Sequence, residues 1–455
     1  MSSEWPTVRL GDVAEVFTGF AFKGESYLPE GAGIRVVRGD NVTEHSLRWE
    51  SKEKCWGQIT EELKPYLLRV GDVVIGMDGS KVGKNFAAVS PSDGTCVLAQ
   101  RVARVRGGKS LEQNFLRYVI CNTRFTEYVQ SIHTGTSIPH ISKRQIESFE
   151  VPHPPYDQQV AVSSLLKSLD DRIALLRETN ATLEAIAQAM FKSWFVDFDP
   201  VHAKQQGRAP EGMSEAIPAR GTPVCAPGVP PDPSAAAALF PDSFEESELG
   251  LVPRGWKVVP VGDVVESVGG GTPDTKEPSY WEGGVHCWTT PKDLSGIQAP
   301  VLLTTERKLT DKGLAKVSSG LLPAGSLLLS SRAPIGYLAI AQVPMAINQG
   351  YIGMLTNSQL PPLFMLFWCR QNMEIIKGRA NGSTFMEISK KAFRPIPAVV
   401  PPASVIDEFM QIAGAMFERI VSNEQQAQTL ATLRDTLLPR LISGQLRIEN
   451  IEGVV

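Results

Sequence analysis

Two stretches of this chain keep an unbroken helical rhythm of apolar and polar positions, and most of the remainder does not. From Asp157 to about Val196 there is no Gly or Pro, and apolar side chains recur at Leu169, Ile173, Leu176, Leu183, Ala187, Met190 and Trp194, with Asn180 on the same seam. From Ile173 onward the spacing alternates four and three, as in a coiled coil. A second stretch, from about Ser404 to Ser443, repeats the seam at Met416, Ile420, Leu430, Leu437 and Leu441, with Asn423, Ala427 and Arg434 filling it. At about 1.5 Å per residue each predicted helix is roughly 60 Å long. Such a helix either packs on its own domain or needs a partner, and its length outruns a domain of this size. An antiparallel pair that faces Asn180 with Asn423 sets Leu176 opposite Ala427, Leu183 opposite Ile420 and Ile173 opposite Leu430. It also sets Arg434 against Leu169, from where it must reach solvent.

Elsewhere the apolar runs are short: Val70–Ile75, Val97–Ala99, Leu327–Leu329 and Leu338–Ala341, broken by Gly, Pro, Asn and Asp. That is a strand-and-turn pattern. Shorter helices are predicted over Gln113–Gln130 and Pro361–Ile376.

The chain is one unit written twice. Trp5 to Glu15 matches Trp256 to Glu266, with Trp, Val, Gly, Asp, Val and Glu in register. Val70-Gly-Asp-Val-Val-Ile-Gly runs parallel to Ala324-Gly-Ser-Leu-Leu-Leu-Ser, and Gln100 to Gln349. His133 to Arg144 matches Ala380 to Lys391 through a shared Gly and Ile-Ser-Lys, and each copy then enters its long helix through prolines. The expected fold is α+β: two tandem pseudo-symmetric repeats, each a β-rich mixed domain followed by a long helix, with the helices in an antiparallel coiled coil. The divisions are 1–155 and 251–403 for the mixed domains, 156–198 and 404–446 for the helices, and 199–250 for a linker and entry to the second repeat. Residues 447–455 are a tail. Ala209 to Ala238 is dominated by Pro, Gly, Ala and Ser and cannot build a core.

Composition places the 455 residues among globular proteins, with 42% hydrophobic and 21% charged. No apolar run approaches a membrane span, the N-terminus has no signal-peptide pattern, and the six cysteines have no metal or disulfide spacing. A reduced, cytoplasmic protein is expected. The formal charge of −4 looks wrong for a nucleic-acid binder until it is located. Residues 1–150 hold 19 Lys/Arg against 18 Asp/Glu, and 251–403 hold 15 against 10. The acid lies in 151–250, with 7 against 14, and in 404–455, with 4 against 7. Between Arg101 and Arg124 six basic residues face one acidic, Glu112. Two separate modules of this charge are compatible with nucleic acid.

Catalytic patterns fail on inspection. Asp78-Gly-Ser-Lys-Val-Gly-Lys-Asn85 has Asp where a phosphate loop needs its first Gly, and Asn where it needs Ser/Thr. His153-Pro-Pro-Tyr156 has no glycine-rich cofactor turn to accompany it. Asp40 with Glu50 and Lys52, and Asp293 with Glu306 and Lys308, have the residue types of a nuclease centre at a spacing common in charged chains. No metal site is expected. What remains is side chains suited to base edges and phosphates, since Arg and Lys pair with guanine and Asn and Gln with adenine. The candidates are Lys81, Lys84, Asn85, Arg101, Arg104, Lys143 and Arg144 in the first repeat, and Arg332, Asn348, Gln349, Lys390 and Lys391 in the second. Each is alternatively a surface residue, and Gln100 and Gln349 alternatively satisfied buried amides.

Phe191-Lys-Ser-Trp-Phe-Val-Asp-Phe-Asp-Pro-Val-His-Ala-Lys204 resembles the central region of the specificity subunits of type I restriction–modification systems. Leu239 to Trp256 is similar to that family's entry into its second recognition domain, and Leu437-Leu-Pro-Arg-Leu-Ile-Ser-Gly-Gln-Leu-Arg447 to its distal region. The resemblance implies two target recognition domains that each read half of a split site in double-stranded DNA. It implies paired helices that act as a ruler and carry two modification (methyltransferase) subunits, joined by restriction (translocase/nuclease) subunits. S-adenosylmethionine, ATP and magnesium would be used by those partners, with no cofactor bound by this chain. A non-catalytic protein-interaction scaffold, or a self-sufficient methyltransferase or nuclease, are the rival classes.

Overall fold

The computed structural model describes residues 4–132, 139–208, 237–382 and 386–448. The chain divides into two compact units, Met1–Arg172 with Thr429–Val455, and Ile173–Gln428. Each contains one copy of the repeat's mixed domain.

In the first unit, Ala14–Thr18, Val102–Gly107, Val73–Gly76 and Phe86–Ala88 form an antiparallel four-stranded sheet in that order. A smaller sheet places Ile34–Val37 between Cys55–Trp56 and Cys96–Leu98, the latter pairing parallel. In the second unit, Ser267–Val268, Tyr351–Met354, Leu327–Ser330, Leu338–Ala341 and Val301–Leu302 form the larger sheet, and Arg307–Leu309, His286–Thr289 and Met345–Ile347 the smaller. The parallel pair recurs there between His286–Thr289 and Met345–Ile347. Both domains are closed by an antiparallel pair joining first strand to last: Thr7–Arg9 with Glu150–Pro152, and Lys257–Pro260 with Pro397–Val400. The central strands are buried on both faces, which is why they read as continuous apolar runs. Val70, included in the predicted strand, is 64% exposed in the preceding turn.

Each predicted short helix is two. Gln113–Ile120 is followed by Thr123–Ile132, and Pro362–Gln371 by Met373–Gly378. The break is an asparagine at the equivalent place in both repeats. Asn122 Nδ2 donates to the Tyr118 and Val119 carbonyls at 2.7 and 2.9 Å, and Asn372 Nδ2 to the Trp368 carbonyl at 2.9 Å. A short amide thereby satisfies carbonyls that the helix leaves open.

The long helices span Tyr156–Phe195 and Ala403–Ser443. The first stops short of residue 198 because Phe198 takes a left-handed backbone with Pro200 beyond it, starting a new helix, Asp199–Gln205. The second ends before 446 at Gly444, whose φ of 85° suits a residue without a side chain. The ends of the predicted linker are ordered: Val201 and Phe240 are buried in the second unit's core, and Phe244–Ser247 pairs with Gly250–Pro253. Residues 209–236 lie outside those described.

Within the second unit the helices run antiparallel. Asn423 Nδ2 donates to Asn180 Oδ1 at 2.9 Å, both fully buried, and Asn180 Nδ2 donates to the Ile420 carbonyl at 3.4 Å. Leu183 packs with Ile420, and Phe191 meets Phe409 at 5.7 Å between ring centroids. Ile173, Leu176, Ile420 and Ala427 are buried, and Leu169, Leu183, Met190, Met416, Leu430 and Leu437 half-buried. Arg434 does not reach out to solvent as expected. In the first unit its Nη1 donates to Asp170 at 2.7 Å, where Arg117 and the Tyr118 hydroxyl also converge. Burial works against the Arg434 charge, but the bonds to Asp170 and Asp435 outweigh it and raise its pKa.

Asn180→Leu alone strands the Asn423 amide and is expected to destabilise the protein by ~1–3 kcal/mol. The double Asn180→Leu, Asn423→Leu variant is expected to exceed both single variants and the parent in stability. Urea unfolding of all four proteins checks this, and additive single effects would count against a coupled pair.

Candidate functional site

In the first repeat three loops are laced together at one end of the large sheet. The chain leaving Val73–Gly76 gives its Met77 N–H to the Arg101 carbonyl at 2.9 Å and takes the Ile141 N–H on its own carbonyl at 2.9 Å. Gly79 N–H reaches Pro139 at 3.1 Å, and Asp78 lies opposite His140 in an antiparallel bridge. The second repeat builds the same platform. Ser331 N–H donates to the Gly350 carbonyl at 2.8 Å, Ile388 N–H to the Ser331 carbonyl at 3.0 Å, and Arg332 lies opposite Glu387.

Several predicted residues are displayed here. Lys81 and Lys84 are exposed, and Arg101 is 74% exposed with Nε 3.2 Å from Asp78 Oδ2. The other Asp78 oxygen is held against His140 Nδ1. Arg332 is half-buried, its Nη1 3.6 Å from Glu387. Gln100 and Gln349 are exposed rather than buried, and Gln349 Oε1 accepts the Thr272 hydroxyl at 2.5 Å. The shared Ile-Ser-Lys motif is a helix start in both copies: Ile141 and Ile388 are buried, and Ser142 and Ser389 cap Lys143–Glu147 and Lys390–Phe393. That leaves Lys143, Arg144 and Lys391 exposed and Lys390 half-buried, with Lys143 3.5 Å from Glu147.

Three candidates bond within the fold. Asn85 is buried, and its amide, oriented to satisfy its surroundings, donates to Lys81 and Gly76 carbonyls at 2.9 and 3.2 Å. Arg104, 4% exposed, donates to Glu15 at 2.8 Å and the Pro65 carbonyl at 3.0 Å over the Phe17 ring, and burial lowers its pKa. Asn348 Oδ1 accepts the Gly350 N–H at 2.8 Å and shapes its turn. The basic stretch Arg101–Arg124 is thus less available than its composition implies. Arg106 grips Asp72 through two bonds of 2.7 and 2.6 Å, and Arg117 joins Asp170.

Sequence reasoning missed the carboxylates Asp78 and Glu387, because they meet their arginines across loops far apart in the chain. It also missed Arg307, which lies 3.5 Å from the Trp281 ring centroid and 5.4 Å from that of Trp288. The Asp293 carboxylate caps its own turn through Thr290. No group of three or more His, Cys, Asp or Glu side chains that could hold a metal occurs among the described residues, nor does a helix long and apolar enough to cross a membrane.

Arg106→Ala leaves Asp72, whose side chain is 2% exposed, without its guanidinium, at an expected cost on the order of 3 kcal/mol. Lys84→Ala on the open loop is expected to change stability by no more than about 0.5 kcal/mol. Denaturant unfolding of the two variants checks the division between cations that hold the fold and cations that face water.

The family described as "Type I restriction modification DNA specificity domain" matches residues 2–185 and 253–428, one match per repeat. The specificity subunit of the type I restriction enzyme HindI of Haemophilus influenzae is 28% identical over 357 residues, covering 73% of this chain and 77% of that protein. The MjaIX specificity subunit of Methanocaldococcus jannaschii is 33% identical over 187 residues, 40% of this chain and 42% of that one. In fold, the crystal structure of a type I restriction–modification S subunit from M. genitalium aligns over 97% of this chain and 96% of its own, with a TM-score of 0.55 at 15% identity. With both repeats matched, this chain belongs to the family of type I restriction–modification specificity subunits.

Proposed function

We propose that this protein recognises a split site in double-stranded DNA, residues 1–155 reading one half and 251–403 the other. The observation that carries the reading is the platform built twice: the same joining of three loops, presenting exposed Arg101, Lys81, Lys84 and Gln100 in the first repeat and exposed Gln349 and Lys391 with half-buried Arg332 in the second. Arginine and lysine neutralise phosphates, and arginine and amides also match purine edges. In this reading the long helices dock two modification subunits and, with them, restriction subunits, in the cytoplasm. S-adenosylmethionine, ATP and magnesium act on those partners, and this chain catalyses nothing alone. The buried Asn180–Asn423 pair then holds one helix register and with it one spacer length between half-sites.

Exchanging residues 1–155 for the equivalent domain of a relative is expected to change one half of the methylated sequence in the host genome, read by mapping methylated adenines. A change in both halves would sink the modular reading. Lys84→Glu is expected to weaken binding to all sequences alike and to flatten the salt dependence of affinity. Replacing both seam asparagines with leucine is expected to broaden the tolerated spacer in the same methylation maps.

A further inference from the structure

We infer that Arg101 reads a base rather than a phosphate, that the base is guanine, and that Asp78 is its positioning residue. The inference rests on the reading of the first repeat as a DNA-recognition domain.

Arg101 Nε lies 3.2 Å from Asp78 Oδ2 in an ion pair, Nη1 and Nη2 have no hydrogen-bond partner among the described residues, and the side chain is 74% exposed. Those two donors form a planar pair that matches guanine O6 and N7 in the major groove. A carboxylate so close offsets the arginine's charge. That weakens it as a phosphate anchor, since phosphate attraction is coulombic and shared by any cation, but leaves its directional donors intact. Lys81 and Lys84 on the adjoining loop have no such carboxylate beside them among the described residues and suit phosphate. The backbone is consistent with this division. Arg101 takes a φ of 66°, a conformation residues with side chains rarely adopt, and its carbonyl is fixed by Met77 N–H. A glycine would occupy the turn with less strain. Apart from its ion pair with Asp78 the Arg101 side chain is directed to solvent, so a residue that strains the turn is kept where its side chain is open to a ligand. His140, on the other oxygen of Asp78, completes the brace and limits the carboxylate's rotation.

The test is selection of preferred sequences from a randomised pool of double-stranded DNA by the full chain. Parent protein is expected to prefer G·C at one position of one half-site. The double variant Arg101→Gly, Asp78→Asn keeps the local net charge. It is expected to unfold no more easily than the parent and to keep the salt dependence of binding, yet to lose discrimination at that position alone, by roughly 5- to 150-fold. Asp78→Asn alone is expected to blunt the same position and no other, with Asp78→Glu restoring it, a pattern that a general structural role would not give. Equal loss across all sequences, with a shallower salt slope, would make Arg101 a phosphate contact and overturn the inference while leaving the proposed function standing. Parent protein with no salt-dependent DNA binding would overturn both.

Discussion

A helix of forty residues with one apolar seam cannot leave that seam in water, and this chain contains two of them. Burying a leucine or isoleucine side chain is worth about 1.5–3 kcal/mol, so each seam gains most of its stability from whatever covers it. Apolar contact alone is permissive about register, because a slide of one heptad restores similar packing. The amides of Asn180 and Asn423 are not permissive. Buried together and bonded at 2.9 Å, they would each lose a partner if the helices slid. The arrangement gives up some stability relative to two leucines and obtains a single alignment in return. At the first unit's end of the same helices the polar pair is charged, Asp170 with Arg434, and two residues of the neighbouring short helix, Arg117 and Tyr118, are drawn into it. Burial and the Asp170 carboxylate push the Tyr118 hydroxyl far above its ordinary pKa, so it remains a donor to that carboxylate.

The same separation of roles governs the arginines of the first recognition domain. Three of them, Arg104, Arg106 and Arg117, are matched to Glu15, Asp72 and Asp170 and spend their donors inside the fold. Near-equal numbers of acids and bases over 1–150 therefore do not describe the charge the loops display. Lys81, Lys84 and Arg144 are exposed at the platform or beside it. The acid of 151–250 lies partly on the first long helix, among them Asp157, Asp171 and Glu178, all exposed.

How legible this was in the sequence follows from the range of each interaction. The long helices, the antiparallel facing of Asn180 and Asn423 and the doubling of the domain are periodic or repeated, and periodicity survives without coordinates. The repeated Ile-Ser-Lys was visible, but its meaning, a buried anchor followed by a cap, needed the fold. Asn85 and Arg104 read as DNA-facing because residue type says nothing about which side of a strand or hairpin a side chain takes. Asn348 shows a related limit: a turn residue whose Oδ1 accepts a backbone N–H two positions on looks, in sequence, like any free amide. The braces Asp78–Arg101 and Arg332–Glu387 were illegible outright, being 23 and 55 residues apart with no periodic relation.

Those two braces put different side-chain chemistry on one platform. Two of the backbone bonds that lace the loops recur in both repeats, and they involve main-chain groups that any side chain leaves in place. What differs is polarity. At the position leaving the central strand the first repeat has the acid Asp78 and the second has the base Arg332, and across the bridge stand His140 and Glu387. Exchanging donor for acceptor on a fixed scaffold alters which hydrogen-bonding edge the loops can match while costing the fold little, since neither pair is buried. The interactions the two repeats share, the lacing of the loops, are thus made by backbone, and those in which they differ are made by side chains at least partly open to solvent and braced in pairs.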